Sequence, residues 1–308
     1  MLNQPSMQEL LEAGVHFGHE TKRWNPKMAS NIFGAKEKIH IIDLEKTEKA
    51  LQEAVNYVST LGAEGKQIVF LATKRQASEI VKTEAKRAGA MYMTTRWLGG
   101  LFTNFETVNK TLFKMTELEA TSKDDAFTKR EQLLMTRALD KLERYVGGIR
   151  SMATLPAAIF IIDSRKEDNA VKESQKMNVT TIALVDTNAD PTVIDYPIPG
   201  NDDAIRSISI IVKTIADAYL EGKEIHDKKL AKEEKAEEKK LAKNDVPEKT
   251  GTTFANSEVK PEAVEKPKVE EKKVAKTVLK KKEVKEKVEK KPTAKKTVTT
   301  KKVKKEAK

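Results

Sequence analysis

Four continuous apolar runs stand out along the 308-residue chain: Gln67–Thr73, Ala90–Thr94, Ala157–Asp163 and Thr180–Asp186. A weaker fifth covers Tyr196–Pro199. Unbroken rather than alternating hydrophobicity marks strands covered on both faces, as in a parallel sheet. Helical spacing fills the gaps. Asp43–Leu61 repeats Leu44, Ala50 or Leu51, Ala54, Val55, Val58 and Leu61 at helical spacing, and Lys74–Ala88 follows the first strand directly. Glu167–Met177 joins the third and fourth runs. Asp203–Leu220 carries Ile205, Ile208, Ile211, Val212, Ile215 and Ala216 on one stripe. Strand and helix in alternation predict right-handed crossovers, hence an α/β, doubly wound, mostly parallel five-stranded sheet.

One interval breaks this rhythm. Between Thr94 and Ala157 no strand signal appears, while Phe105, Val108, Leu112 and Met115 recur at helical steps. After a polar turn near Thr121–Asp125 come Phe127, Leu134, Ala138, Leu142, Tyr145 and Ile149. The spacing predicts an inserted antiparallel coiled-coil hairpin over 104–150. Its outer positions are cationic: Lys110, Lys114, Lys129, Arg130, Arg137, Lys141, Arg144 and Arg150. A projecting arm of this kind suggests a surface that touches something.

Charge divides the chain. Residues 223–308 hold 29 Lys, no Arg and 17 acidic residues, a net charge of about +12, whereas residues 1–222 hold 29 basic and 30 acidic residues. The sequence pI of about 9.4 therefore describes a tail. The expected division is a body over 1–222 and a Lys/Glu-rich tail over 223–308. Glu224–Asn244 has the composition to prolong the preceding helix. Beyond it the tail lacks the apolar residues to offset chain entropy and is expected to be largely disordered. It reads as either a solubilising appendage or a polycation drawn to phosphates.

The chain contains no Cys, which removes disulfides, thiolate metal sites and thiol nucleophiles. No run reaches the ~18 apolar residues of a membrane span. The N-terminus lacks a secretory pattern, so a cytoplasmic protein with no membrane partner is expected.

A doubly wound sheet places ligands at its strand C-termini. There stand Asp163, Asp186, Asp190 and Asp202. They read either as a Mg²⁺-dependent phosphate site or, more simply, as caps and turns. GxGxxG is absent after the first strand, and neither GxxxxGK[ST] nor GxSxG occurs. His16 and His19 sit three apart, as on one helical turn, but lack acidic or Cys partners at metal-site spacing. No catalytic residue, metal, cofactor or small-molecule substrate is expected.

The same segment reads better as a polyanion surface. His16, Phe17, His19, Lys22, Arg23, Trp24, Asn25 and Lys27 interleave cations, aromatics and amides. Lys and Arg suit phosphates, while Phe and Trp faces suit bases or ribose. Arg96, Trp97 and Asn104 repeat the pairing beside Gly99-Gly100. The opposing reading makes both Trp residues core anchors flanked by Arg.

These residues carry a resemblance. His16-Phe17-Gly18-His19, Arg23-Trp24-Asn25-Pro26-Lys27-Met28, Ile39-His40-Ile41-Ile42-Asp43-Leu44 and Arg96-Trp97-Leu98-Gly99-Gly100 stand in order. Leu155-Pro156, Asp163, Arg165-Lys166-Glu167, Val185-Asp186-Thr187-Asn188 and Pro197-Ile198-Pro199-Gly200-Asn201-Asp202-Asp203 follow. Over residues 5–222 the chain resembles the bacterial form of the universal family of the second small-subunit ribosomal protein. Departures are few: Glu37-Lys38 replaces a frequent Asn-Gly, Thr95 a frequent Gln and Ser164 a frequent Pro. The resemblance implies a flavodoxin-like body with a protruding helical hairpin. It implies a structural, non-enzymatic, ribosome-associated role, with small-subunit ribosomal RNA and neighbouring ribosomal proteins, including the largest one, as partners. It does not extend to the tail.

Overall fold

The computed structural model describes residues 4–122 and 127–244; the expected disorder beyond 244 and the turn at 123–126 lie outside the described residues. Five parallel strands form the main sheet: β4 (Ile68–Leu71), β5 (Met91–Met93), β6 (Ala158–Ile162), β7 (Thr180–Val185) and β8 (Tyr196–Pro199). Their spatial order is β5-β4-β6-β7-β8, which is the flavodoxin order once the five are counted along the chain. All five fall on the apolar runs. β4 and β6 are buried at every position because helices cover both sides.

The alternation of side chains splits the core in two. Ile68, Phe70, Phe160, Ile182 and Leu184 face α2 (Leu44–Ala63), α3 (Arg75–Ala88) and α7 (Ile205–Asn244). Val69, Leu71, Ile159, Ile161 and Val185 face the side that carries α4 (Phe105–Thr121) and α6 (Asp168–Lys176). α2 and α7 pack closely at Gly62 and Gly222. A Cβ at Gly222 would come within 2.3 Å of the Ser59 carbonyl oxygen, so only glycine permits this crossing. α7 runs unbroken through residue 222, where composition changes, and the expected helical extension to Asn244 is present. No helix among the described residues is long and apolar enough to cross a membrane.

The hairpin follows the expected seam on α4 and at Leu142, Tyr145 and Ile149, and departs from it over the first half of the returning helix. α4 buries Val108, Leu112 and Met115 in the same apolar cluster as Val69, Leu71 and Met91, and it packs chiefly against α5 (Lys129–Val146). In α5 the inward positions are Leu139, Leu142 and Val146, while Leu134 and Ala138 are exposed. Both sets keep the three- or four-residue steps of one helix face, and contact with α4 selects between them. The chain after α5 turns back over α4, where Arg150 pairs with Glu119. α5 is thus the more exposed of the two paired helices.

Two N-terminal elements are absent from the hydrophobic pattern. α1 (Met7–Glu12) is a six-residue helix closed by a Ser6–Glu9 capping box. β1 (Phe17–Glu20), β2 (Ile32–Lys36) and β3 (Ile39–Ile42) form an antiparallel sheet in the order β1-β3-β2. Lys36 pairs with Ile39, leaving Glu37 and Lys38 as a two-residue turn with φ of 53° and 68°. Such turns require the left-handed region, which Asn-Gly enters readily and Glu-Lys does not. Replacing Glu37-Lys38 by Asn-Gly is expected to stabilise the body by about 1–2 kcal/mol. Thermal unfolding of residues 4–244 within the full chain should then shift upward by roughly 2–8 °C; an unchanged midpoint would show that the turn carries no strain.

Candidate nucleic-acid interface

The antiparallel sheet is seated on the C-terminal ends of β7 and β8 by backbone contacts. His19 N donates to Thr187 Oγ1 at 2.9 Å, Asn25 N to the Thr187 carbonyl at 2.7 Å, and Asn201 N to the Val15 carbonyl at 3.0 Å. A Cβ at Gly18 would lie 2.6 Å from Thr187 Cγ2, so glycine is required for this approach. His19 lies on β1 and His16 in the turn before it, so the two do not share a helical turn. The His16 ring packs 4.0 Å from Phe17, and burial lowers its pKa. His19 points into the sheet edge.

There it meets the acidic strand ends. His19 Nδ1 is 2.9 Å from Asp186 and Nε2 3.3 Å from Asp203. The hydrogen bond to Asp186 leads the rise in its pKa, against the effect of burial. The Lys74 ammonium lies 2.9 Å from each of Asp163, Asp202 and Asp203. This is the crevice between β4 and β6, where strand order reverses and doubly wound proteins bind ligands. Here it is filled by Lys74. Burial would lower the Lys74 pKa, but Asp202, Asp163 and Asp203 outweigh it and raise it. A phosphate entering would face four carboxylates.

Asp202 is the anomaly. It is fully buried, and although Lys74 is close, neither carboxylate oxygen accepts an aligned hydrogen bond. Burial, with Asp186 and Asp163 adding repulsion, raises its pKa to about 7. Donor atoms of His19, Asp186 and Asp202 all lie within 4.8 Å of one another, the arrangement among the described residues that could hold a metal ion. One imidazole and two carboxylates suit a borderline transition metal such as Zn²⁺. The partners that sequence spacing lacked for His19 are supplied by β7 and by the loop after β8.

Cations ring this acidic centre. Lys22, Arg23, Arg75, Arg96, Arg165 and Lys166 are exposed, and none has a carboxylate within 4 Å among the described residues. Arg75 and Lys166 line one surface hollow, and Arg96 and Lys166 another. Arg23, Trp24 and Arg165 line a third, so the rim is nearly continuous. Phe17 and Trp24 are 49 % and 41 % exposed and offer aromatic faces beside it. Arg75, Arg165 and Lys166 were not among the sequence candidates. Their position directly after strand runs was the available signal.

Other candidates are structural. Lys27 pairs with Asp190 at 2.6 Å and ties the 3₁₀ turn at Pro26–Asn31 to Pro191–Val193. Asn25 caps that turn through Lys27 N. Trp97 is buried and donates through Nε1 to Glu173. Glu173 also accepts from Gly100 N and Phe102 N, so one carboxylate holds the loop that presents Arg96. Trp97 is therefore the core anchor of the alternative sequence reading. Asn104 is exposed at the start of α4 and accepts from Thr107.

Strand order, crossover helices and a side-chain-filled crevice define a flavodoxin-like α/β protein whose usual nucleotide position is closed. The family model for ribosomal protein S2 matches residues 10–222. The small ribosomal subunit protein uS2 of Marinobacter nauticus is 51 % identical over 221 residues, covering 71 % of this chain and 88 % of the relative. Its counterpart in Nitratiruptor sp. is 49 % identical over 232 residues, covering 74 % and 87 %. The chain belongs to the ribosomal protein S2 family.

The acidic centre makes stability depend on pH. Both His19 and Asp202 have folded pKa values above their ordinary 6.5 and 3.8, so both favour the folded state when protonated and cease to do so as pH rises through the folded values. In metal-free buffer, stability is expected to fall by about 1 kcal/mol between pH 6 and 8. Urea midpoints for the parent chain and Asp202→Asn measure this. The variant should be flatter with pH and firmer at pH 8; an unaltered slope would remove Asp202 as its source.

Proposed function

We propose that the protein is a structural constituent of the small ribosomal subunit in the cytoplasm, binding ribosomal RNA through the cationic rim and taking no part in catalysis. The observation that carries this is the ring of exposed, uncompensated cations with Phe17 and Trp24 beside it on a body of nearly zero net charge. Arginine and lysine held free of carboxylates are available to phosphates. The name of the two relatives supports the assembly, and the closed crevice argues against a nucleotide enzyme. The antiparallel sheet also exposes Phe33 and Ile39, apolar area suited to a neighbouring protein, including the largest of the subunit. The exposed cations of α5 extend the surface available to RNA.

Replacing Arg23, Arg96 and Arg165 together by Ala is expected to cut incorporation into small subunits at least tenfold in competition with the parent chain. The logarithmic salt slope of RNA affinity should weaken by about 0.9 for each duplex phosphate that is no longer neutralised. Co-sedimentation equal to the parent would place the RNA surface elsewhere.

A second reading is favoured by the unsatisfied Asp202: His19, Asp186 and Asp202 hold a structural divalent cation of the zinc type. A cation at a hundred times its Kd would add about 2.7 kcal/mol to stability. Adding Zn²⁺ to chelator-treated protein at pH 8 should raise the Tm by roughly 5–10 °C, and not in Asp202→Asn. Equal behaviour of the two proteins would exclude this site.

A further inference from the structure

An open pocket of about 530 Å³ lies between the loops after β6 and β7, with the Arg23–Pro26 segment as its outer wall. Its volume falls in the range of small-ligand sites. Two residues of its wall carry polar atoms, turned away from solvent, that the fold does not satisfy. Ser164 Oγ and Asn188 Oδ1 are buried and have no hydrogen-bond partner, and Ser164 as a whole is only 6 % exposed. Leaving such atoms unpaired costs about 1–3 kcal/mol each. Val171 and Val193 add apolar surface. At the mouth stand Arg23, Arg165 and the half-exposed Trp24, whose ring is braced 5.5 Å from His40. The two carboxylates in the wall are already neutralised: Asp168 pairs with Lys172, and Asp190 with Lys27. The pocket thus differs from the neighbouring acidic crevice and tolerates an anion at its mouth.

We infer that this pocket takes one unpaired nucleotide of the bound RNA. The inference rests on the RNA-binding reading above and adds that an unstacked base is captured. Trp24 stacks on the base, and such stacking is worth about 1–3 kcal/mol. A side-chain rotation brings the Asn188 amide and the Ser164 hydroxyl onto the base edge. A base that donates there, through the exocyclic amine of adenine or cytosine, satisfies the orphaned acceptor. Arg23 and Arg165 hold the phosphates on either side. The site therefore asks for a loop, bulge or single strand. A continuous duplex keeps its bases stacked and cannot enter.

The test compares the full chain with Asn188→Ala, Ser164→Ala and Trp24→Ala in binding single-stranded adenine- and cytosine-containing oligoribonucleotides and a fully paired duplex of equal length. Circular dichroism and thermal unfolding verify that each variant is folded. Asn188→Ala and Trp24→Ala should each weaken single-strand binding about tenfold, and Asn188→Ala should leave duplex binding and the salt slope unchanged. Arg23→Ala should weaken both and flatten the slope. If the three pocket variants match the parent on single strands while Arg23→Ala still loses affinity, the pocket is empty and only the rim binds. If the parent chain binds neither RNA, the RNA-binding reading and the pocket both fall.

Discussion

The Lys74 ammonium, placed among Asp163, Asp202 and Asp203 at the strand C-termini, is the contact on which the arrangement of the body depends. It comes from the loop after β4 and joins it to the loops after β6 and β8, closing the crevice that doubly wound sheets otherwise keep open. His19 performs the same service from outside, bridging Asp186 and Asp203 and thereby fastening the antiparallel sheet to the parallel one. Removing either cation, Lys74 or His19, leaves buried carboxylates uncompensated, at a cost of several kcal/mol. The cluster is consequently a poor place for a reacting anion and a good place for a brace, or for a cation that replaces the protons on His19 and Asp202.

Charge is layered around this brace. Acidic groups and their two internal cations lie beneath, and the cations that face solvent lie around the margin. Arg96 is presented by a loop that Glu173 holds through three hydrogen bonds, and Lys27 is consumed in pinning one turn to another. Cationic side chains of the same type thus do opposite work. One set has carboxylates and builds the fold; the other lacks them and remains available to phosphates.

The parallel sheet was legible because its strands are shielded on both faces, and shielding writes itself into the chain as unbroken apolar runs. The antiparallel sheet was not, because it covers the edge of another sheet and exposes one side. Phe33 and Ile39 stand in water, while Lys36, Glu37 and Lys38 carry a turn without Asn or Gly. The register of α5 was ambiguous for a different reason. Leu134 and Leu139 belong to equally spaced rows, and the row that turns inward is chosen by α4. Trp97 illustrates the same limit: its flanking Arg96 and glycines resemble a ligand loop, but Glu173, distant in sequence, draws the indole inside.

Periodicity settled the fold class and the order of elements from α2 onward, and composition the extension of the final helix, since those follow from the residues within short stretches of chain. The absence of Cys and of phosphate-loop motifs narrowed the chemistry in the same local way. Pairing between distant residues was beyond its reach: His19 with Asp186, Lys74 with three aspartates, Ser164 and Asn188 facing one hollow. Those meetings depend on strand order and loop packing, and residues separated along the chain by whole elements carry no local record of the distance that folding leaves between them.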